Sequence, residues 1–263
     1  MATNNSSANT AQHLVVITGA SRGMGRAMAE QLLARPGHTL ICISRGSSPE
    51  LAAAPVGEGS SLQQWTHDLD DASVAARQLS AWLAGVEAGR YASATLINNA
   101  GVIARPAPLS DAELPDLARA LRVGLEAPML LASAFLKATQ GWTQASRKVL
   151  NISSGLGRNA MASQAPYCAA KAGMDHFSRA LALEEAHSPH GARVVSLAPG
   201  VIDTDMQVQL RGGDPAKFPD RERFTRMQSE GMLATPPVAA ARVLAYLDRA
   251  DFGSNPVADV RDN

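Results

Sequence analysis

The segment that most constrains the fold is a glycine-rich turn between a short apolar run and an amphipathic stretch. The run 14–18 is predicted to be a buried strand, the stretch 23–34 a helix, and Gly19, Gly23 and Gly25 lie between and within them. Glycines allow a tight turn and close approach of the backbone, and the following helix points its electropositive N-terminus at an anion. This order predicts a cradle for the pyrophosphate of a dinucleotide, with a purely structural turn as the alternative.

The rest of the chain alternates β-branched runs with helical patterns. The predicted strands are 14–18, 39–43, 61–65, 95–98, 148–152 and 193–197, and the predicted helices are 23–34, 71–86, 111–139 and 164–187. Because crossovers between parallel strands traverse the sheet, this order predicts the α/β class: a single doubly wound Rossmann-type domain, its parallel sheet covered by helices on both faces. We place this dinucleotide-binding domain at 13–263, after a polar extension at 1–12 expected to be disordered, and expect 201–233 to form an irregular substrate lid or loop.

Composition excludes several classes of function. The 24 basic and 24 acidic residues cancel, which argues against nucleic acid or an anionic membrane as a partner. No apolar run approaches the ~18 residues of a membrane span. Cys42 and Cys168 lie far apart and lack metal-ligand spacing, so we expect no metal site and a reducing, cytoplasmic location.

The end of the second predicted strand bears on the choice of cofactor. A site for NAD usually has a carboxylate here to bind the ribose diol, whereas this strand is followed by Ser44 and Arg45. Arg45 and Arg22 are suited to clamp a 2′-phosphate, although either arginine alone is compatible with a solvated surface. We therefore expect NADP(H) to be preferred over NAD(H).

Candidate catalytic side chains lie at and before the start of the long helix 164–187. Tyr167 and Lys171 are one turn apart on the same face. The ammonium group is expected to lower the tyrosine pKa from its usual ~10, which eases proton transfer to a carbonyl oxygen. Ser154 follows the fifth strand, where its hydroxyl can bind the same oxygen.

Taken together, the motifs resemble the short-chain dehydrogenase/reductase family from about Leu14 to Asp262. The matching pieces are Thr18–Gly25, Asp68-Leu69, Asn98–Gly101, Asn151–Ser154, Tyr167-x-x-x-Lys171 and Pro199-Gly200. The resemblance implies hydride transfer between NADP(H) and a ketone, diketone or secondary alcohol. It also implies that the tyrosine is general acid/base, that the lysine binds the nicotinamide ribose, and that the serine orients the substrate.

The resemblance extends the set of expected cofactor contacts beyond the cradle and the arginines. It implies that Asp68 and Leu69 bracket the adenine, that 99–101 support the cofactor, and that 199–204 hold its nicotinamide end. The full expected set is Gly19, Ser21, Arg22, Gly23, Met24, Gly25, Ser44, Arg45, Asp68, Leu69, Asn99, Ala100, Gly101, Tyr167, Lys171, Pro199, Gly200, Ile202 and Thr204.

The substrate is less constrained than the cofactor. Leu156, Met161 and Met206 are expected to wall the pocket, which suggests an apolar or aromatic carbonyl compound. Residues 199–207 and 251–262 are similar to the sepiapterin reductase-like branch of carbonyl and diketone reductases, in which an aspartate anchors a pterin, and Asp259 falls at that position. Aspartate is also common there in family members with other substrates.

Two helices are apolar on more than one face, which indicates a partner of the same chain. Their apolar residues are Leu125, Met129, Leu130 and Phe135 in the first and Ala169, Met174, Phe177 and Leu181 in the second. A homodimer or homotetramer is expected, with burial inside the monomer as the alternative.

One position departs from the family pattern. Gly124 stands where many members carry an asparagine that helps to link the lysine to solvent through water, and Glu126 is a possible substitute. The departure leaves open a non-catalytic NADP(H)-binding sensor or regulatory protein, and a third possibility is a lyase- or epimerase-like enzyme that retains its cofactor.

Overall fold

Seven parallel strands form one sheet in the computed structural model, which describes residues 11–262. The strands are β1 (His13–Thr18), β2 (His38–Ser44), β3 (Ser61–Thr66), β4 (Ser93–Asn98), β5 (Ser146–Ile152), β6 (Arg193–Ala198) and β7 (Val257–Asp259). Their spatial order is β3-β2-β1-β4-β5-β6-β7, with every adjacent pair parallel. The order reverses between β1 and β4, and such a switch point opens a crevice at the carboxyl ends of the strands.

Helices cover both faces of this sheet, which confirms the predicted fold class. They are α1 (Gly23–Leu33), α2 (Pro49–Ala52), α3 (Ala72–Ala84), α4 (Leu114–Leu121), α5 (Ala127–Thr139), α6 (Ala165–Ala186), α7 (Asp205–Arg211), α8 (Arg221–Ser229) and α9 (Pro236–Leu247). One core cluster joins α1 and α9 to the sheet, and a second joins α3 and α5 to the opposite face.

The predicted strands agree with the structure to within two residues at each end. The segment 201–233, in contrast, is not irregular throughout, because it contains the short helices α7 and α8. Their apolar residues Leu210, Phe218 and Phe224 form a small cluster separate from the two main cores, which gives the segment packing of its own.

The helical stretch predicted at 111–139 is interrupted by a wide turn. Residues Arg122–Glu126 form a single π-helical turn between α4 and α5, in which the Ala127 amide donates to the carbonyl of Arg122, five residues earlier. Such turns are rare inside helices and are frequent at functional sites. Gly124 lies within this turn.

Most of the extension expected to be disordered, residues 1–10, lies outside the described residues. Among helices within residues 11–262, none has the length and apolar character needed to cross a bilayer.

Candidate functional site

A cavity of about 920 Å³ opens at the carboxyl ends of the strands. Every residue predicted to contact the cofactor, to carry the chemistry or to wall the substrate pocket lines this cavity. Residues from β1, β2, β4, β5 and α6 share it with residues of the 201–233 segment, although they are distant in sequence.

The glycine turn is shaped by two requirements that exclude a side chain. Gly19 has φ of +70°, in the left-handed region that favours glycine. A Cβ at Gly25 would lie 2.2 Å from the Gly19 carbonyl oxygen, so the first turn of α1 can approach the end of β1 only without one. The N-terminal amides of α1 therefore lie at the cavity, as an anion site requires.

Side-chain hydrogen bonds fasten the end of β4 to this turn. Thr18 Oγ1 accepts hydrogen bonds from the amides of Asn99 and Ala100, both at 2.9 Å. In return, Asn99 Nδ2 donates to the carbonyl of Thr18 at 2.9 Å. The two strands at the switch point thus form one rigid edge beneath the cavity.

At the end of β2 the cavity carries cationic and donor groups and no carboxylate. Ser44 Oγ is buried and has no hydrogen-bond partner among the described residues, and Arg45 is exposed and forms no ion pair with any of them. Glu50 is the nearest following acidic residue; it contacts Arg26 at 3.5 Å and does not line the cavity. Arg22 is less free than expected, because it forms an exposed ion pair with Asp205 of α7 at 2.5 Å.

The region next to Asp68 and Leu69 contains a residue that sequence reasoning missed. Arg119 of α4 lines the cavity, and its guanidinium lies 3.7 Å from the Asp68 carboxylate. Arg122 binds Asp70 through two hydrogen bonds of 2.8 and 3.1 Å. These two pairs connect the residues that follow β3 to α4 and to the π-turn after it. No spacing in the sequence indicates this contact.

Tyr167, Lys171 and Ser154 converge at the centre of the cavity. Lys171 Nζ lies 5.7 Å from the centroid of the Tyr167 ring and donates a 2.7 Å hydrogen bond to the Ile152 carbonyl at the end of β5. Ser154 caps a short 3₁₀ turn, where its hydroxyl accepts from the Leu156 amide at 3.2 Å. A carbonyl oxygen bound between Tyr167 and Ser154 would meet two hydroxyl donors beside a cation.

The pKa of Tyr167 is shifted in the direction opposite to that expected from the sequence. Burial raises the pKa of Tyr167 to about 12, while hydrogen bonding by Ser154 acts in the opposite direction. Burial also lowers the pKa of Lys171 to about 8, and the charge of Asp175 opposes that change. At neutral pH the phenol is therefore protonated, which is the form that can give a proton to a carbonyl oxygen.

Asp175 is a buried carboxylate one turn beyond Lys171 on α6. Its Oδ1 accepts hydrogen bonds from Ser153 Oγ at 2.5 Å and from Ser196 Oγ at 2.7 Å. Its Oδ2 has no hydrogen-bond partner within residues 11–262 and lies 3.8 Å from Arg158 Nε. The carboxylate thus ties α6 to the residue that follows β5 and to the interior of β6, and it places a negative charge near the lysine.

Gly124 does not line the cavity but packs behind it. A Cβ added there would lie 3.0 Å from the Cβ of Ala170, the residue before Lys171. The space that an asparagine side chain would need at this position is therefore not empty. Lys171 Nζ has the Ile152 carbonyl as its hydrogen-bond acceptor. Glu126 is exposed and does not line the cavity.

The substrate half of the cavity is largely apolar. Leu156, Met161 and Met206 line it as expected, together with residues that the sequence did not single out, namely Ile103, Leu210, Phe224 and Met227. Gln207 of α7 adds a polar group to this lining: it is buried, lines the cavity, and its Oε1 has no hydrogen-bond partner in the described chain.

Asp259 ends β7 at the cavity, and its carboxylate is already bound. Arg261 donates from Nε to Oδ1 at 2.7 Å and from Nη2 to Oδ2 at 2.6 Å. Arg261 itself lines the cavity and was missed from the sequence. The contact arises in the turn that follows β7, where the Arg261 amide also donates to Asp259 Oδ1 at 3.0 Å.

These residues fit a dinucleotide. The cradle supplies backbone amides at a helix N-terminus, and the unpaired hydroxyl of Ser44 and the guanidinium of Arg45 suit a phosphate on the adenosine ribose. Lys171, Tyr167 and residues 199–204 line the same cavity.

Comparison with known proteins gives consistent similarities. The family model described as short chain dehydrogenase matches residues 13–214. A benzil reductase ((S)-benzoin forming) of Bacillus cereus is 34% identical over 238 residues, which cover 90% of this chain and 95% of the relative. Sepiapterin reductase of Rattus norvegicus is 33% identical over 269 residues, covering 94% of this chain and 95% of the relative.

A solved structure supports the same fold. A protein of Agrobacterium tumefaciens with bound NADP superposes with a TM-score of 0.76 at 25% identity, covering 95% of both chains.

Proposed function

The chain belongs to the short-chain dehydrogenase/reductase family, and from this premise we propose that it is an NADP(H)-dependent carbonyl reductase acting on ketones or diketones. It is an oxidoreductase of carbonyl or alcohol groups, as its named relatives are. The observation that carries the proposal is the convergence of Tyr167, Lys171 and Ser154 with a complete glycine cradle in one cavity.

Tyr167 is assigned as the general acid. A bound NADPH would supply the hydride that is added to the carbonyl carbon, and the phenol gives its proton to the carbonyl oxygen to form the alcohol. The hydroxyl of Ser154 holds the same oxygen as negative charge develops on it. The ammonium of Lys171, 5.7 Å from the tyrosine ring centroid, stabilises the phenolate that remains.

The preference for NADP(H) is supported by the end of β2. Arg45 and the unpaired Ser44 hydroxyl line the cavity, and β2 itself ends without a carboxylate. Arg22 is the second proposed contact to the 2′-phosphate, and Asp205 competes with the phosphate for its guanidinium. The remaining proposed cofactor contacts are those predicted from the sequence, all of which line the cavity.

We further assign a homodimeric or homotetrameric assembly and a cytoplasmic location. Leu121, Met129 and Leu183 are exposed on α4, α5 and α6, which supports self-association through these helices. Phe135, Met174 and Leu181, in contrast, are buried within the monomer and take no part in it. Cys42 and Cys168 are both free thiols, as a reducing compartment allows.

Consumption of NADPH with benzil, simple ketones and sepiapterin tests the proposal directly. Replacing the acid by Tyr167→Phe should lower kcat by about 10²–10⁴-fold, since proton transfer in the transition state is lost.

Binding of NADPH serves as the control for this variant, because the phenylalanine ring fills the same space. NADPH affinity should stay within about threefold of the wild-type value, which corresponds to less than about 0.7 kcal/mol. Turnover retained by Tyr167→Phe would exclude the acid role, and NADPH binding without turnover of any tested compound would favour the sensor.

A further inference from the structure

Ser163 lies two residues before α6, and its backbone conformation is unusual. Its φ is +62°, and no other non-glycine residue within 11–262 has a positive φ. Side chains disfavour this left-handed conformation, so a residue adopts it only where neighbouring contacts hold it there. Gln164 follows as the N-cap of α6, and Tyr167 stands in the first turn. The strained residue therefore lies on the backbone that leads directly into the proposed catalytic tyrosine.

The contacts that hold Ser163 come largely from other segments of the chain. Its hydroxyl donates a 2.6 Å hydrogen bond to the backbone carbonyl of Lys217, between α7 and α8. Its own carbonyl accepts hydrogen bonds from the Ala107 amide at 3.3 Å and from Gln164 Nε2 at 3.0 Å. Lys217 Nζ in turn donates to Asp111 Oδ2 at 2.7 Å. Ser163 thus joins the segment that contains α7 and α8 to the loop after β4 and to the start of α6.

The segment that contains α7 and α8 also contributes to the wall of the cavity. Phe224 of α8 lines the cavity, and Met161, two residues before Ser163, packs against the apolar cluster to which Phe224 belongs. Ser163 and Lys217 do not line the cavity themselves. Their hydrogen bond therefore fastens the segment without touching a ligand bound in the cavity.

Two effects at Ser163 are of similar size and opposite sign. The left-handed conformation costs a residue with a side chain about as much as one ordinary hydrogen bond contributes, and each corresponds to roughly a fivefold change in an equilibrium constant. The hydroxyl bond to the Lys217 carbonyl offsets the strain while the segment is in place. When the segment moves away, this bond is lost and the strain is no longer offset by it.

We propose that Ser163 is a positioning residue that couples the segment 201–233 to the first turn of α6. With the segment closed, the hydroxyl bond holds Ser163 left-handed and fixes the backbone that leads into Tyr167. When the segment opens to admit substrate or to release product, Ser163 returns to a negative φ and this first turn loosens. The residue that is positioned is the acid of the proposed function, but the coupling itself is a property of the folded chain and is tested without turnover.

The test compares the wild-type protein with Ser163→Ala and Ser163→Gly by hydrogen–deuterium exchange of backbone amides, followed in 205–226 and in 161–170. Both variants lose the hydroxyl, but only glycine adopts the left-handed conformation without strain. Ser163→Ala should speed exchange in both stretches by about fivefold, because exchange through local opening follows the opening equilibrium. Ser163→Gly should return both stretches to within about twofold of the wild-type rates, since the relief of strain compensates for the lost bond.

The order of the two variants is decisive, because glycine in an ordinary flexible loop would open it more than alanine does. Ser188→Ala is the control, since Ser188 is exposed after α6 and does not line the cavity, and it should leave both stretches unchanged. Equal exchange in Ser163→Ala and Ser163→Gly, or faster exchange in 205–226 without any change in 161–170, would overturn the coupling. Failure of the wild-type protein to reduce any carbonyl compound would refute the proposed function and would leave this exchange pattern as it is.

Discussion

The charge of Asp175 shows how a single buried residue sets the pH range in which the proposed catalytic pair, Tyr167 and Lys171, can act. Burial lowers the pKa of Lys171 to about 8, and the carboxylate one turn away limits that effect. The hydroxyl groups of Ser153 and Ser196 hold the carboxylate in place. Since Lys171 stabilises the phenolate only when protonated, the alkaline limit of activity follows the lysine pKa.

Activity should therefore decline as the pH rises above about 8, where Lys171 loses its proton. Asp175→Asn keeps the size of the side chain and its acceptor oxygen but removes the negative charge. The lysine pKa then falls further, and the alkaline limb of kcat against pH should move to lower pH.

Ser153→Ala provides a matched control, because it removes one hydrogen bond to the carboxylate and leaves the charge. Its alkaline limb should move much less than that of Asp175→Asn. An unchanged limb in Asp175→Asn, or one displaced to higher pH, would exclude this electrostatic role.

Sequence reasoning performed well for residues whose role depends on a local motif. All residues assigned to the cradle, the tyrosine–lysine pair and the substrate wall line one cavity, because each motif lies at the carboxyl end of a predicted strand or at the start of a helix. The tyrosine pKa was expected to move in the wrong direction, since burial is not visible in spacing. Arg119 and the Arg22–Asp205 pair were missed because their partners are distant in sequence.

At the scale of elements, the π-turn and α6 form a close contact directly behind Lys171. A Cβ at Gly124 would lie 3.0 Å from the Cβ of Ala170, closer than side-chain carbons ordinarily approach. A side chain at this position therefore fits only if α6 gives way by a few tenths of an ångström, and an asparagine would push against it.

A double-mutant cycle measures this contact. Gly124→Ala should lower the free energy of unfolding by about 1–2 kcal/mol more in the wild-type background than in the Ala170→Gly background. The difference arises because Ala170→Gly removes the opposing methyl group. Urea denaturation of the four proteins gives the coupling energy.

The cycle separates packing from helix propensity, since the intrinsic preference of each residue cancels in the coupling term. Additive effects within about 0.3 kcal/mol would mean that the two methyl groups do not meet.

The elements that were not predicted from the sequence differ in the strength of their sequence signals. No element was predicted beyond 233, although α9 begins with proline at its first turn and carries apolar residues at Val243, Leu244 and Leu247. A proline in the first turn followed by apolar residues at helical spacing is an ordinary helix signal, so α9 was predictable from the sequence. In contrast, β7 has three residues, which is too few for any periodicity, and its position is set by pairing with β6.

For the molecule as a whole, the cavity joins parts of the chain that only the sheet brings together. The cradle lies at β1, the end of the substrate wall at β7, and the Arg22–Asp205 pair bridges 183 residues. A ligand that binds across these elements stabilises the entire folded state by mass action.

NADPH at about one hundred times its dissociation constant should stabilise the protein by about 2.7 kcal/mol and raise Tm by about 5–10 °C. NADH at the same concentration should give a clearly smaller shift. Arg45→Ala should reduce the NADPH shift towards the NADH value, because the guanidinium no longer meets a 2′-phosphate.

Arg77→Ala is the matched control, since Arg77 is exposed on α3 and does not line the cavity. It should leave both shifts unchanged. Equal loss of the NADPH and NADH shifts in Arg45→Ala would contradict the assignment of Arg45 to the phosphate.

The π-turn also has a consequence for changes in chain length. Counted along the chain, the turn amounts to one inserted residue, so a single-codon deletion within 122–126 would convert it into ordinary α-helix. Because the wide turn absorbs its extra residue within one revolution, the deletion would leave α4 and α5 in nearly the same angular relation, and Arg119 would stay near Asp68. The close packing of Gly124 against Ala170 would be lost instead. A change of one residue in length should accordingly be tolerated better in this turn than inside α4 or α5, where it would rotate the flanking faces by about 100°.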